Sequence, residues 1–225
     1  MMTTHARTLI HEVRGHLREV EEKIREHPYL RAAEAGRLRP EDLVRFAEQQ
    51  RHIITSDLRS IALMVARASS EETRAFFLNA LAGERAALEA LGSFAKALGI
   101  APETFRAADP LPGAYAYSAF VASMALFGSP AEFAGAFLVN LEAWGANCGR
   151  LAEALTAHHG LNPDDVAFFT LFATPPPSFA ESAFAVVEEG LAIGVEPRAI
   201  RRAATLLQGY ELLYWDTLME ISEGR

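Results

Sequence analysis

Apolar side chains return every three or four positions along most of this chain, a period that suits α-helices and not strands. Leu9, Val13, Leu17, Val20 and Ile24 form one such stripe, with Arg14, Arg18, Glu21, Glu22 and Arg25 on the other faces. The helix they predict is capped at Thr3 or Thr4 and stopped by His27-Pro28. A short helical turn is expected over residues 29–35, ended by Gly36. Pro40, with Glu41 and Asp42 behind it, opens a long helix. Its stripe runs through Phe46, Gln50, Ile53, Ile54, Leu58, Ile61 and Val65 to about Ala68. Ser69 and Glu72 have capping-box spacing and predict a third helix through Phe76, Phe77, Leu81, Leu88 and Leu91 to Gly99.

The second half reads the same way. Residues 100–113 hold three prolines and predict a connection with a short turn near 103–107, followed by a helix over 114–127. Ser129-Pro130-Ala131-Glu132 combines a capping box with a first-turn proline, and its helix runs to about His158 before Gly160. Asn162-Pro163-Asp164-Asp165 starts another, which Pro175-Pro176-Pro177 breaks. Ser178 and Glu181 restart it as far as about Ile193, and a last helix runs from about Pro197 to Ile221. Sustained strand alternation bounded by hairpin turns is absent. Linkers are short, so the expectation is one all-α domain over residues 1–225, a bundle of about seven or eight helices.

Half of the 225 residues are hydrophobic and 22% are charged, enough for a large core. The net charge of −8 argues against a nucleic-acid partner, which requires a basic face. Cys148 is the single cysteine, so there is no intramolecular disulfide and no zinc cluster, which suits a reducing compartment. The first 25 residues are charged throughout and lack the apolar stretch of a signal peptide. The best candidate for a membrane span, residues 114–131, is interrupted by Tyr, Ser, Gly and Pro. These features predict a cytoplasmic protein with no membrane partner.

Gly-rich phosphate loops, His-Glu-x-x-His, EF-hand loops and nucleophile elbows are all missing. Of the seven histidines, His27, His158 and His159 sit at helix ends and read as surface or capping groups, while His52 lies mid-helix as a pocket candidate. Three carboxylates fall in apolar surroundings: Glu84, Glu142 and Glu211. A buried carboxylate is costly unless paired, so each that faces inward requires a reason. Aromatics gather in the second half, including Tyr115, Trp144, Phe172, Tyr210, Tyr214 and Trp215. Cys148 reads as a small buried hydrophobe.

His27-Pro28, the run from Arg39-Pro40-Glu41-Asp42 to Phe46, and Gln49-Gln50 together resemble the opening of the TenA/PqqC group. Glu211-Leu212-Leu213-Tyr214-Trp215-Asp216 is similar to that group's Glu-x-x-Phe-Trp-Asp ending, and Gly160 to Phe169 to its loop-to-helix transition. The resemblance implies the heme-oxygenase-like fold, a helical bundle around a central cavity, commonly dimeric or higher. It also shows departures. The nucleophilic Cys of TenA-type thiaminases falls on Asn140, and their Asp after the Gln pair falls on Arg51, whereas the C-terminal Glu is retained as Glu211. The His, Asp, His positions of the group's di-iron oxidases fall near Phe172, Pro176 and Phe179, none a metal ligand, although Glu84 and Glu142 match carboxylate ligands of those enzymes.

The resulting expectation is a central pocket for a small heterocyclic or aromatic metabolite, with no metal, no cofactor and no thiolate. Glu211 is the expected acid/base or hydrogen-bond anchor, with Arg51, His52, Tyr115, Asn140, Glu142, Trp144, Phe172 and Tyr210 as candidate ligand-binding groups. The partners expected are a small-molecule ligand and further copies of the chain, as a homodimer or larger homo-oligomer. Two alternatives stand beside this: a non-catalytic binding or accessory protein of the same fold, and a divergent metal oxidase.

Overall fold

The structure, a computed structural model, describes residues 5–176 and 178–224; the Thr3 or Thr4 cap and Pro177 lie outside them. The described residues form ten helices and no strand. Seven are long: α1 (His5–Arg25), α3 (Pro40–Arg67), α4 (Glu71–Ala97), α6 (Pro112–Phe127), α7 (Pro130–His159), α9 (Ser178–Ala192) and α10 (Pro197–Ser222). Three are short: α2 (Pro28–Glu34), α5 (Pro102–Ala107) and α8 (Ala167–Ala173). None of these helices is long and apolar enough to cross a membrane.

The helix boundaries follow local chemistry. Ser129 and Glu132 close a reciprocal box, the Ser129 hydroxyl accepting from the Glu132 N–H at 3.2 Å and the Glu132 carboxylate from the Ser129 N–H at 2.8 Å. At α4 the cap is Ser70, one residue after the expected Ser69, because the Ser70 hydroxyl accepts from the Thr73 N–H at 3.0 Å. The Ser69 and Ser70 hydroxyls both donate to Glu189 of α9, which ties that corner to the rest of the bundle. Asn162 accepts from the N–H groups of Asp164 and Asp165, making a turn, so α8 begins only at Ala167. His27 caps α2 as expected but is buried, not on the surface. Its Nδ1 accepts from the Tyr29 N–H, which leaves Nε2 as the donor to Asp216 of α10 at 3.1 Å.

Helix α7 is the axis of the bundle, packed against α1, α2, α8, α9 and α10. Helices α3, α4 and α6 complete the wall, α3 lying against α4 on one side and α6 on the other. At one end of the space they enclose, Phe46 packs on Trp144 at 6.4 Å and on Phe169 at 5.3 Å, while Trp144 lies 5.6 Å from Trp215. Such aromatic contacts add to the burial of apolar area, which is the main stabilising term.

Several glycines sit where helices approach closely. A Cβ on Gly190 of α9 would lie 2.2 Å from the Ala131 methyl of α7, and one on Gly145 of α7 would lie 2.7 Å from the Phe172 carbonyl of α8. Gly149, a turn further along α7, has an ordinary 3.6 Å neighbour in Ala173. Gly145→Ala should therefore lower stability by about 1–3 kcal/mol through overpacking. Gly149→Ala should leave it unchanged or raise it by roughly 0.5–1 kcal/mol through helix propensity. Thermal melts of both variants check this, and equal effects would contradict the contact at Phe172.

Candidate functional site

The helices leave a small, partly open chamber of about 40 Å³. Its wall has a simple origin in helical periodicity. Gln50, Ile53, Ile54 and Asp57 follow one another at three- and four-residue steps on α3, as do Phe137, Asn140, Leu141 and Trp144 on α7. Glu84 comes from α4, Tyr117 from α6, Phe172 from α8, and Glu211 with Tyr214 from α10. The volume suits about two or three waters or one polar head group, not a ring.

Part of the polar wall is hydrogen-bonded. Glu211 is buried, and both of its carboxyl oxygens take N–H donors: Asn140 Nδ2 donates to Oε2, and Trp215 Nε1 to Oε1 at 3.2 Å. Asn140 also donates to Gln208 Oε1 at 2.9 Å and accepts from the Tyr117 hydroxyl at 3.3 Å. Gln50 donates to the Tyr214 hydroxyl at 2.8 Å. Burial outweighs the two donors and pushes the Glu211 carboxyl up to about 8. At neutral pH Glu211 is therefore mostly protonated, with a hydrogen to give to an acceptor in the chamber.

The chamber wall also holds an acidic pair. Asp57 is 3% exposed and its Oδ1 has no hydrogen-bond partner; Oε2 of Glu84 is likewise buried without one. Burial pushes Glu84 up to about 7. Burial and then repulsion from Glu84 hold Asp57 well above the usual carboxylate range. The chamber wall carries three carboxyl groups and no Lys, Arg or His. Among the described residues no three His, Cys, Asp or Glu side chains converge closely enough to hold a metal ion.

Of the residues singled out from sequence, Glu84, Glu211, Asn140, Trp144 and Phe172 meet in this wall. The other five lie elsewhere. Arg51 turns to α5, donating to the Arg106 carbonyl at 3.3 Å with its guanidinium over Phe105. His52 stacks on Tyr115 at 6.0 Å, and Tyr115 is 60% exposed. Tyr210 lies against Phe120 at 5.2 Å, outside the chamber. Glu142 is half exposed and pairs with Arg14 at 3.0 Å and Arg25 at 3.5 Å, which supplies the counter-charge its apolar sequence neighbours hid. Cys148 is buried and does not line the chamber; burial, with a contribution from Glu211, holds its thiol well above its ordinary value. Asp57, Gln50, Tyr117 and Tyr214 are wall residues that sequence reasoning did not select. Asp57 had a readable signal, since it stands at the three- and four-residue step from Ile54 and Ile53, with Ile61 the next stripe position beyond it.

Raised carboxyl pKa values have a stability consequence of definite sign. Between the ordinary value of 4.5 and about 8, the folded chain holds a proton on Glu211 that the unfolded chain has released. Stability is therefore highest at the acidic end of that window and falls as pH rises through it. Melting temperature should decline from pH 5 to pH 8.5, and Glu211→Gln should flatten the decline. An unchanged slope in that variant would contradict burial of an unpaired carboxyl.

The sequence of residues 14–220 matches the model of the TENA/THI-4/PQQC family. No curated protein matches the chain at a significant level. Among solved structures, a TenA homolog from Pseudomonas syringae superposes with a TM-score of 0.81 at 11% identity, covering 96% of this chain and 93% of its own. A TenA homologue from P. horikoshii gives 0.77 at 16% identity, covering 93% and 97%. A putative TenA-like thiaminase from Sulfolobus solfataricus gives 0.71 at 14%, covering 98% of both chains. A domain from Shewanella denitrificans described as having a heme oxygenase-like fold gives 0.75 at 14%, covering 95% and 91%. With the family model spanning nearly all of its length over a shared heme-oxygenase-like fold, this chain belongs to the TENA/THI-4/PQQC family.

Proposed function

We propose that the chain binds, and acts on, a small heterocyclic or aromatic metabolite at the central chamber, with Glu211 as acid/base and hydrogen-bond anchor. The observation that carries this reading is the enclosed network around Glu211: a protonated carboxyl, oriented by Asn140 and Trp215, on a wall with aromatic surface and no basic group. The chemistry it supports is proton transfer to or from a ring substituent. Nucleophilic displacement through a thiolate is not supported, since Asn140 stands on the wall and Cys148 is outside it. Because the chamber admits a head group only, a ring within it requires wall side chains to move aside. Phe172 sits on the seven-residue α8. Its position in the wall favours a second reading, a non-catalytic binding protein of the same fold.

The same reading includes self-association. The sixteen residues of α6 contain no charge, and α6 exposes Tyr115, Leu126 and Phe127 beside Leu206 and Leu213 of the adjoining α10. An apolar face of this kind supports a homo-oligomer.

Two experiments test these points. The chain has two tryptophans; Trp144 lines the chamber and Trp215 donates to Glu211, so intrinsic fluorescence reports occupancy. Titration with 4-aminopyridine, benzylamine and benzoate should show saturable binding of the ring amines, weakened up to about tenfold, one lost hydrogen bond, by Glu211→Gln. Absence of binding by any ring compound would contradict the proposal. For self-association, sedimentation of the native chain should give a dimer or larger species that Leu213→Glu shifts towards monomer; a monomeric native chain would remove that part.

A further inference from the structure

Beyond the chamber a second, larger space opens between α4, α7 and the α8–α9 turn, an apolar groove of about 580 Å³. Its walls include Phe76 and Phe77 from α4, Phe133 from α7 and Phe179 from α9, with Pro175 and Pro176 at its rim. Glu84, Phe137, Leu141 and Phe172 line both spaces, so the groove ends against the chamber at a carboxyl group. Neither lining contains a Lys, Arg or His. The groove is of small-molecule size; the chamber takes only a head group.

We propose that the ligand is an amine carrying an extended apolar arm: its ammonium enters the chamber between Asp57 and Glu84, and its arm lies in the groove. This rests on the reading of the chamber as a ligand site and names the class of compound it takes. The unpartnered Asp57 Oδ1 and Glu84 Oε2 are acceptors without donors in an interior that supplies no cation. An ammonium brings both the missing charge and three N–H donors. Burial has pushed both carboxyls towards the neutral form, and a bound cation reverses that balance. An anionic ligand meets three carboxyl groups and no positive partner. The ring of an aryl amine comes to rest at the junction, against Phe137 and Phe172, whose faces favour a nearby cation.

The test uses Trp144 fluorescence with the full chain and three series of probes: benzylamine, 4-butylbenzylamine and 4-octylbenzylamine, the matching benzyl alcohols, and the matching benzoates. The amines should bind at least tenfold more tightly than the alcohols, with affinity rising about threefold per methylene of the arm. Asp57→Asn and Glu84→Gln, which remove charge without changing shape, should erase the preference for amine while leaving the arm dependence. Gly83→Leu fills the groove from a position with nothing near its Cβ, so it should erase the arm dependence while leaving benzylamine binding. Alcohols or benzoates binding as tightly as amines would overturn the proposal, as would amine affinity independent of arm length. If benzylamine binds in a Glu211-dependent way and the long arms add nothing, the extended ligand is refuted and the chamber reading stands. If no probe binds, both fall.

Discussion

The carboxyl of Glu211 is held in the interior by two N–H donors without a direct ion pair, and the chamber wall is arranged around it. Asn140 of α7 and Trp215, one turn further along α10, reach the two oxygens of this buried carboxyl and offset part of its loss of water. Those contacts fix the rotation of α10 against α7, the axis of the bundle. They also leave the carboxyl protonated at neutral pH, because two neutral donors do not offset the loss of water. The same physics acts on Asp57 and Glu84, which lack even those donors. Burial of a carboxyl without an ion pair costs stability at three places around one small space.

The helical architecture was readable because its signals are local. The Ser129–Glu132 box, Gly160 and the proline break before α9 each act within one turn of chain, and the structure places them as their chemistry dictates. The exceptions are instructive. Ser70 stands in place of Ser69 as the cap, its hydroxyl accepting from the Thr73 N–H while donating at 2.7 Å to Glu189, more than a hundred residues away in sequence. His27 is buried because Asp216 of α10 accepts its second nitrogen's hydrogen, a partner no local pattern reveals.

The wall of the chamber was legible only in part, for the same reason. Asn140, Trp144, Phe172 and Glu211 stood out as polar or aromatic residues on strongly apolar segments. Arg51, His52 and Tyr115 sit on the right helices but on other faces, and a residue or two along a helix rotates a side chain by more than a right angle. Gln50, next to Arg51, is the one that faces inward. Glu142 had the same apolar sequence setting as Glu211, yet Arg14 and Arg25 of α1 meet it at the surface. Asp57 was hidden among isoleucines; read as a stripe position and not as a surface charge, it is the clearest sequence mark of the acidic pair.

Membership in the TENA/THI-4/PQQC family gives the frame, and the wall of this chain gives its own chemistry: carboxyl and carboxamide groups on aromatic surface, with the thiol elsewhere. The central claim is that Glu211 carries a proton at neutral pH. Its most direct measurement is the infrared carbonyl stretch of protonated carboxyl groups between pH 5 and pH 10, native chain minus Glu211→Gln. The account predicts a difference band that persists at pH 7 and vanishes with a midpoint near 8. A midpoint near the ordinary value of 4.5 would mean an ionised, solvated carboxylate and would contradict the account at its root.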